Sequence, residues 1–382
     1  MHNLRLNFQC RKKDIDRMST LHATAESVDE QIKLILGSWG MAPELIDEAA
    51  KVMVETDLMG VDSHGISMLM TYETKRQEGR LDLKAAPKIE NQTAATASID
   101  AGANLGHPVS VMAMNLAVDK AEQVGVGLVT VRNSHHFGAA GYYAQIAANR
   151  GALGMVASTA RGITVVPTGG AAPVLGTNPL AYAAPAKRHR PWVLDMATST
   201  VAVGKVRVYG YQNKPLPDGW VSDGSGQPMR DGTEAYNMLI DSDMGGLTPI
   251  GGTRELASHK GYGLGVLAQI LSGALAGGAF VPVDKPKEAP DSPENIGHFF
   301  MAIAPGAFQP AGDFEEHVDT VIDTLHATPP ADPDQPVLVA GDPEAAKRAE
   351  RLEKGIPIPS ALDEQLRGVC ERAGVAYVLT EK

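Results

Sequence analysis

The clearest indication of the fold class lies in residues 126–151, whose sequence is VGLVTVRNSHHFGAAGYYAQIAANRG. The first six residues, Val126 to Val131, are mostly apolar and rich in valine, and they predict a buried strand. A polar turn follows, and a helix is predicted from Ala139 to Gly151. A buried strand that leads through a turn into a helix is typical of an α/β sheet. Sites in such sheets lie beyond the carboxyl ends of strands, where His135 and His136 stand in this segment.

Short strands and helices alternate on both sides of this segment. Upstream, a strand is predicted at residues 97–100, followed by a helix that Ser110 caps and Gly125 ends. Downstream, strands are predicted at 153–157, 180–184, 192–195 and 298–303, and a helix at 263–276. The Gly- and Pro-rich residues 168–179 are predicted to form a loop, and residues 211–258 are polar and rich in turns. The middle of the chain is therefore predicted to have an α/β fold.

Both ends of the chain have the apolar spacing of helices. Ser27 and Glu30 form a predicted capping box, because the hydroxyl and the carboxylate can each satisfy a free backbone donor. Pro43 stands where a second helix begins, and Gly60 ends it. Towards the carboxyl terminus, helices are predicted at residues 314–325, 343–353 and 362–373. Ser360 is the expected cap of the last of these.

The composition narrows the classes of function. The chain has 382 residues, with 45 acidic and 34 basic side chains and a net charge of −11. This balance, without a block of Lys or Arg, argues against a nucleic-acid partner. No stretch approaches the roughly 20 apolar residues that cross a bilayer. Cys10 and Cys370 fit neither a metal site nor a disulfide framework. These features predict a cytoplasmic enzyme that acts on a small molecule.

The first 17 residues have an ambiguous charge pattern. Residues 1–13 carry five basic groups and no acid, which is one mark of a transit peptide. Asp14 and Asp16 follow at once, however, and no apolar segment accompanies them. We therefore interpret this stretch as an additional arm or the result of an upstream start, with Met18 as an alternative start.

Two turns carry imidazole side chains beside other polar groups. Residues 62–65, Asp-Ser-His-Gly, follow the helix that Gly60 ends, and His136 follows the buried strand. Imidazole is the side chain whose ordinary pKa lets it give or take a proton near neutrality. We therefore predict that His64 and His136 are acid/base groups and that Ser63 bonds the substrate oxygen. For each histidine, the alternative is that it only caps a helix or a turn.

A carboxylate, Asp195, stands at the end of an apolar strand. A buried charge without a partner is costly, so Asp195 is expected to support an imidazolium, as the acid of a catalytic triad does. The alternative is a cap for the segment that begins at Thr198. No metal site is predicted, because His135 and His136 are adjacent and diverge, and no HExxH or CxxC motif is present.

The usual dinucleotide fingerprint is missing from the sequence. A GxGxxG motif between a strand and a helix does not occur, and the glycines at 261–265 follow a polar loop late in the chain. A standard Rossmann domain is therefore not expected. Residues 176–179, Gly-Thr-Asn-Pro, could present backbone donors to a phosphate. Residues 258–260, Ser-His-Lys, are similar to the lysine segment of some pyridoxal-phosphate enzymes, in which Lys260 would form a Schiff base.

A series of short motifs resembles one enzyme family. The motifs are DSHG at 62–65, NSHHFGAAGYYA at 133–144, LGTNPLAYAAP at 175–185, LDMATS at 194–199, GK at 204–205, HKGYGL at 259–264 and GIPI at 355–358. In this order they resemble the malate/L-lactate dehydrogenases, NAD(P)-dependent oxidoreductases that lack the Rossmann fold. The resemblance extends from about residue 25 to the carboxyl terminus, and motifs in order are more specific than any one alone.

The resemblance implies a fold, a cofactor and an assembly. The fold would be a non-Rossmann α/β architecture with a helical unit at 20–95, completed by 310–382. A cofactor-binding and catalytic α/β domain would span 96–309, with a smaller subdomain near 205–255. The cofactor would be NAD or NADP, and the protein a homodimer. The residues implied to hold the cofactor are Val193, Leu194, Asp195, Met196, Lys205, His259, Lys260, Gly261, Gly341, Asp342 and Pro343.

One position departs from the family pattern. Many members have Arg in the pattern SHGxxR, where it can bind a substrate carboxylate with two hydrogen bonds. Here that position is Met68, which resembles a hydroxycarboxylate-dehydrogenase-like branch. Other groups must then hold the substrate, and our candidates are Tyr72, Arg161, Thr177 and Asn178.

The predicted reaction is hydride transfer between C2 of a small 2-hydroxy acid and nicotinamide. An imidazole takes the hydroxyl proton in oxidation and returns it in reduction. One alternative is a reductase of a cyclic imine or a diketo acid in the same family. A more distant alternative is a pyridoxal-phosphate enzyme that uses Lys260.

Overall fold

The alternation of strands and helices predicted from the sequence is present in the computed structural model, which describes residues 20–382. The helices are α1 Ala25–Ser38, α2 Pro43–Leu58, α3 Leu69–Gln77, α4 Gly106–Val124, α5 Ala140–Asn149, α6 Val203–Tyr211, α7 Gly232–Asp241, α8 His259–Gln269, α9 Val281–Asp284, α10 Asp313–His326, α11 Asp342–Lys354 and α12 Ser360–Ala373. The strands are β1 Leu21–Ala23, β2 Lys88–Gln92, β3 Thr96–Asp100, β4 Val126–Ser134, β5 Leu153–Ser158, β6 Leu180–Ala184, β7 Trp192–Met196, β8 Val221–Ser222, β9 Gly246–Leu247, β10 Ile296–Ile303 and β11 Ile356–Ile358. A π-helix, Ile270–Leu275, continues α8. The α/β fold class is confirmed.

Seven strands form one mixed sheet in the order β2-β3-β4-β10-β5-β6-β7. β3 and β4 run parallel, and the other neighbouring strands are antiparallel. β10 comes from far along the chain and lies between β4 and β5, with Phe300 opposite Val129 and Val156. This largely antiparallel order differs from the parallel sheet of a Rossmann domain, as predicted.

Helices cover both faces of the large sheet. α4 and α5 pack on one face, in a core where Tyr143 and Phe300 are fully buried. α8 and the π-helix lie against the other face, where Ala268 packs with Leu180 and Phe299. Burial of apolar surface on both faces holds the sheet rigidly. The end of β4, from which the histidine turn emerges, is thereby fixed between the two layers.

Helices from both ends of the chain share a second core. Ile32 of α1, Leu69 of α3 and Leu366 of α12 pack together, and β1 pairs with β11 in antiparallel fashion. Pro43 begins α2, and Gly60 follows its end with a left-handed φ of +85°, as predicted. Helices and strands from the two ends of the chain therefore share one core.

Two borders of the predicted domains lie elsewhere in the structure. β2 pairs with β3, so the large sheet begins at Lys88, before the predicted border at residue 96. The helical unit is predicted to include α10, but Asp319 of α10 is fully buried and accepts backbone N–H groups of Arg188 and His189, between β6 and β7. A buried carboxylate needs such donors, and they attach α10 to the α/β domain.

A smaller core lies near the predicted subdomain at 205–255. Helices α6 and α7 and the β8–β9 pair enclose Val206, Val221 and Ala235. Asp231 caps α7 by accepting two backbone N–H groups of its first turn. Residues 211–258 therefore contain more regular secondary structure than their polar composition predicts.

Three predicted helix caps and one helix start are wrong. Ser360 is the first residue of α12, whose N-cap is Pro359, and among the described residues no side chain caps this helix. Thr24 is the N-cap of α1, because its Oγ1 accepts the Ser27 N–H at 3.1 Å. Ser110 lies inside α4, which begins at Gly106, where a side chain would come within 2.5 Å of the His135 carbonyl oxygen. The predicted helix at 263–276 begins earlier, at His259. The first 19 residues, which include the predicted arm, Met18 and Cys10, lie outside the described residues.

None of the helices within residues 20–382 is both long and apolar enough to span a bilayer.

Gly127 of β4 has no room for a side chain, and this tests the packing of α4 on the sheet. A Cβ at Gly127 would lie 1.9 Å from the Ala117 carbonyl oxygen of α4. Gly127→Ala should lower the free energy of unfolding by about 1–3 kcal/mol, because the helix must move away from the strand. Urea unfolding measures this change. Gly306→Ala, at an exposed glycine whose Cβ would have no neighbour within 4 Å, is the control. Equal stability of the two variants would contradict the described packing.

Candidate active site

Two histidine turns from different parts of the fold meet at one place. His64 lies in the turn after α2, in the helical unit, and His136 follows β4 of the large sheet. Their ring centroids are 5.1 Å apart, and both side chains are half-buried. The predicted convergence of two distant imidazoles is therefore present in the structure. Side chains that are half-buried at the junction of two units can be reached by a small molecule.

The ring of His136 is held from one side. Nδ1 lies 2.7 Å from the hydroxyl of Tyr72, which comes from α3 and is only 2% exposed. The Gly138 N–H also points to this nitrogen, at 3.4 Å. Burial, together with the nearby imidazoles, lowers the pKa of His136 well below its usual value. His136 is therefore neutral at neutral pH, and its Nε2 lies on the side of the ring opposite Tyr72.

The ring of His64 has a different partner. Its Nδ1 lies 2.7 Å from the hydroxyl of Ser63, which is exposed. Burial lowers the pKa of His64 from its ordinary value. Since a hydroxyl both donates and accepts, Ser63 can serve either tautomer of His64. Nε2 of His64 is thus able to hold a proton or to be free of one.

A buried carboxyl group shapes the turn that carries His64. Asp57, near the end of α2, accepts the Ile66 N–H at 2.8 Å. A side chain at Gly65 would come within 1.9 Å of the Asp57 carboxyl, so the turn closes only with glycine at this position. Burial raises the pKa of Asp57 to about 8. Asp57 is therefore largely protonated at neutral pH, and it fixes the backbone that presents His64.

The carboxyl-terminal unit holds the same turn from outside. Arg351 of α11 is 9% exposed, donates to the Asp57 carbonyl oxygen at 2.5 Å and forms an ion pair with Asp62. A guanidinium that binds both a carbonyl oxygen and a carboxylate fixes their relative positions. The position of His64 therefore depends on a helix that lies far away in the sequence.

His135 has a structural role, in contrast to His136. It is 2% exposed, with Nε2 at 2.6 Å from the Arg80 carbonyl oxygen and Nδ1 at 3.3 Å from the Glu294 carboxylate. His135 therefore fits the alternative given above, in which a histidine only stabilises a turn. At His136, the Tyr72 hydroxyl and the Gly138 N–H both lie against Nδ1, and within residues 20–382 no hydrogen bond involves Nε2.

Comparison with known proteins places this chain in a family. The family model described as malate/L-lactate dehydrogenase matches residues 23–367. Malate dehydrogenase of Pyrococcus abyssi is 36% identical over 334 residues, which are 86% of this chain and 90% of that protein. Hydroxycarboxylate dehydrogenase B of Escherichia coli O157:H7 is 32% identical over 93% of this chain and 92% of its own. The structure of malate dehydrogenase from Entamoeba histolytica superimposes with a TM-score of 0.88 at 30% identity, covering 94% and 99% of the two chains.

The chain belongs to the malate/L-lactate dehydrogenase family. As a member of this dehydrogenase family, it is a nicotinamide-dependent oxidoreductase that interconverts 2-hydroxy and 2-oxo acids. The pyridoxal-phosphate alternative is wrong, because the family match covers the segment around Lys260.

Asp195 of this dehydrogenase caps a helix, but not the one considered above. Its carboxylate accepts the Gly141 N–H at 2.7 Å, in the first turn of α5, directly after the His136 turn. The side chain is reached by solvent, yet the surrounding protein desolvates it and raises its pKa to about 6. Among the described residues, Asp195 thus bonds the helix that follows His136 rather than either imidazole.

Two of the predicted substrate-binding residues have other partners. Asn178 is fully buried, and its side chain bonds Gly265 and Gln269 of α8 and the Ala160 N–H. Arg161 makes two hydrogen bonds to the Glu288 carboxylate. Because these side chains are already paired within the chain, they do not fit the predicted role. In a sequence, a polar loop residue that binds a ligand cannot be distinguished from one that bonds its own loop.

The other two candidates differ from each other. Tyr72 faces His136, so it acts on the imidazole rather than extending to a substrate carboxylate. Thr177 is half-buried, and its carbonyl oxygen accepts from Thr198. The role of Thr177 in binding the substrate stays a prediction.

The segments implied to hold the dinucleotide fit such a ligand. His259 and Lys260 are exposed in the first turn of α8, where the helix N-terminus adds to the attraction for phosphate. Gly341 lies against β7, and a side chain there would come within 3.3 Å of the Val193 backbone. These basic groups and the bare backbone are suited to a diphosphate. Among residues 20–382, no three His, Cys, Asp or Glu side chains lie close enough to share a metal ion.

The remaining residues of the predicted cofactor set vary in exposure. Lys205 lies over the Trp220 ring, 5.2 Å from its centroid. Asp342 accepts from the Val339 N–H at 2.9 Å and pairs with His326 at 2.7 Å. A dinucleotide hydroxyl would therefore share the Asp342 carboxylate with partners from the chain. The side chains and backbone groups that are at least half-buried are Val193, Leu194, Met196, Gly261 and Gly341, and Pro343 is exposed.

Asp57 provides a test of how the His64 turn is held. The pKa of its carboxyl group is raised by folding, so the folded protein binds a proton that the unfolded chain has released between about pH 4 and pH 8. Its contribution to stability is present in full below pH 4 and is lost as the pH rises to 8. The free energy of unfolding of the wild type, minus that of Asp57→Asn, should therefore fall across this range.

Urea unfolding at several pH values between 4 and 8 measures this difference. Asp243→Asn, at an exposed position, controls for the loss of a carboxylate at the surface. A difference between wild type and Asp57→Asn that stays constant or grows with pH would show that Asp57 is ionised in the folded protein.

Proposed function

We propose that His64 and His136 together serve one reaction, the reversible transfer of hydride between C2 of a small 2-hydroxy acid and NAD or NADP. The observation that carries the proposal is the 5.1 Å separation of the two rings, which come from different units of the fold. A hydroxyl or carbonyl oxygen placed between them would be within reach of both. The malate and hydroxycarboxylate dehydrogenases among the relatives support a substrate of this class.

The bound cofactor supplies the nicotinamide ring that takes or gives the hydride. In oxidation, a neutral imidazole accepts the hydroxyl proton as hydride leaves C2, and in reduction it returns the proton to the oxygen. The lowered pKa values of His64 and His136 keep both rings neutral at neutral pH, so a ring whose Nε2 is bare can accept the proton. Ser63 bonds the substrate oxygen or His64, and Asp195 holds α5 behind the His136 turn. The candidates for holding the diphosphate of the cofactor are His259 and Lys260 of α8 and the backbone at Gly341.

We propose further that the protein acts as a homodimer in the cytoplasm. Exposed apolar side chains follow one another along α8, the π-helix and α9, and a second copy would cover them. They are Leu267, Ile270, Leu275, Phe280 and Val283. The acidic composition and the buried free thiol of Cys370 are in keeping with a reducing compartment.

The reaction class is tested with purified protein and a panel of substrates. Pyruvate, oxaloacetate, other 2-oxo acids and cyclic imines are each supplied with NADH or NADPH, and absorbance is followed at about 340 nm. We expect turnover of at least one 2-oxo acid at a kcat of about 1 per second or more, which is ordinary for an enzyme. Turnover of cyclic imines alone would favour the imine reductase. Failure of every 2-oxo acid with both cofactors would contradict the proposal.

The two imidazoles are tested by removing each in turn. His64→Ala and His136→Ala should each lower kcat by at least about a hundredfold, since general acid/base groups contribute 10²–10⁴-fold. His317→Ala, which removes an exposed imidazole of α10, is the matched control and should retain full activity. Steady-state rates are compared at saturating cofactor. Normal turnover in both active-site variants would show that the proton is exchanged elsewhere.

A further inference from the structure

A third imidazole lies behind the pair in the active site. His107, on α4, is fully buried, and its Nε2 lies 3.5 Å from the Tyr72 hydroxyl. The same hydroxyl is 2.7 Å from Nδ1 of His136. The ring of His107 meets those of Tyr72 and His136 edge-on, with centroids 5.7 and 6.4 Å away. His107, Tyr72 and His136 thus form one connected chain of polar groups, which we call the His107 chain.

The direction of hydrogen bonding at His136 follows from its neighbours. A backbone N–H can only donate, and the Gly138 N–H points at Nδ1 of His136. A proton on Nδ1 would face this N–H, so Nδ1 is the bare nitrogen of the neutral ring. The Tyr72 hydroxyl must then donate its single proton to Nδ1, and the His136 proton lies on Nε2. The lone pairs of the Tyr72 oxygen are left to accept.

The direction of hydrogen bonding at His107 follows from the same reasoning. Burial, and then the nearby imidazoles of His298 and His64, lower the pKa of His107 to about 3, so the ring carries one proton. No described atom bonds its Nδ1, which is buried. A proton there would be a buried donor without an acceptor, which is costly. The proton therefore lies on Nε2, where it is donated to the Tyr72 oxygen.

We propose that His107 is a positioning residue: through Tyr72 it holds the proton of His136 on Nε2, the nitrogen turned away from Tyr72. This inference rests on the proposed function, because it assigns a task to His136 within that reaction. In this state His136 donates a hydrogen bond to the substrate oxygen. The exchange of the proton then falls to His64, whose partner Ser63 is exposed and can both donate and accept. His107 never contacts the substrate.

The proposal is tested with three variants of His107 on the full-length protein. His107→Met removes the donor but retains much of the volume, and it should lower kcat/KM by about tenfold, the effect of one hydrogen bond worth roughly 1.4 kcal/mol. His107→Gln keeps an N–H donor at similar reach and should restore activity to within about threefold. If the methionine variant does not fold, His107→Asn, whose shorter amide does not reach Tyr72, takes its place. Ser110→Ala, one turn away on α4 and equally buried, is the control and should behave as the wild type.

A double-mutant cycle separates positioning from packing. In the background of Tyr72→Phe, His107→Met should have almost no further effect on kcat/KM, since the hydroxyl that transmits its influence is already gone. Thermal unfolding of each variant is recorded beside its rate. Equal losses in both backgrounds would show that His107 acts by packing alone, and this result would overturn the proposal.

A spectroscopic measurement tests the same claim without catalysis. The nitrogen shifts of ¹⁵N-histidine-labelled protein report which ring nitrogen carries the proton, and His136→Asn assigns the signals. In the wild type, Nδ1 of His136 should be bare and Nε2 protonated, and His107→Met should mix the two forms. A wild type in which Nδ1 carries the proton, or a variant with unchanged shifts, would refute the role of His107. A wild type with the expected shifts but no turnover would instead indicate that the proposed function is wrong.

Discussion

The active site depends on the contact between the Asp57 carboxyl group and the turn at Gly65. The Asp57 carboxyl lies against Gly65 and accepts the Ile66 N–H, so the backbone can turn there in one way only. Arg351 holds the same turn from the carboxyl-terminal unit. Because of these contacts, His64 extends from the helical unit towards the end of β4, where His136 stands. The helices from the two ends of the chain therefore build part of the active site as well as a second core.

Burial determines the charge of the site. His64, His136 and His107 lie close together at the junction of two cores, and desolvation lowers the pKa of each. A cluster of charged rings would repel, whereas neutral rings can share protons through Tyr72 and Ser63. The partners of the two outer imidazoles differ, since Tyr72 is buried and Ser63 is exposed. In the proposed reaction, this difference would give the two histidines separate tasks around one substrate oxygen.

Much of the fold could be predicted because strands such as β4 and helices such as α2 carry clear apolar patterns and defined ends. The insertion of β10 between β4 and β5 could not, since pairing between distant strands leaves no local mark in a sequence. His64 and His136 were predictable from their place on turns after regular elements. The predicted substrate-binding role of Asn178 and Arg161 does not fit the structure. A polar side chain that bonds its own loop has the same local sequence as one that binds a ligand. His107 and Asp57 carry no local signal, for their importance comes only from what packs on them.

The central claim is that one substrate oxygen lies between two imidazoles contributed by different units. A crystal structure with NADH and oxamate, an unreactive analogue of a 2-oxo acid, tests it most directly. We predict that the amide carbonyl oxygen of oxamate, which stands in for the 2-oxo oxygen of a substrate, lies about 3 Å from Nε2 of both His64 and His136, which is ordinary hydrogen-bond distance. The account would be contradicted by a well-ordered analogue that binds at another position, with neither imidazole directed at it.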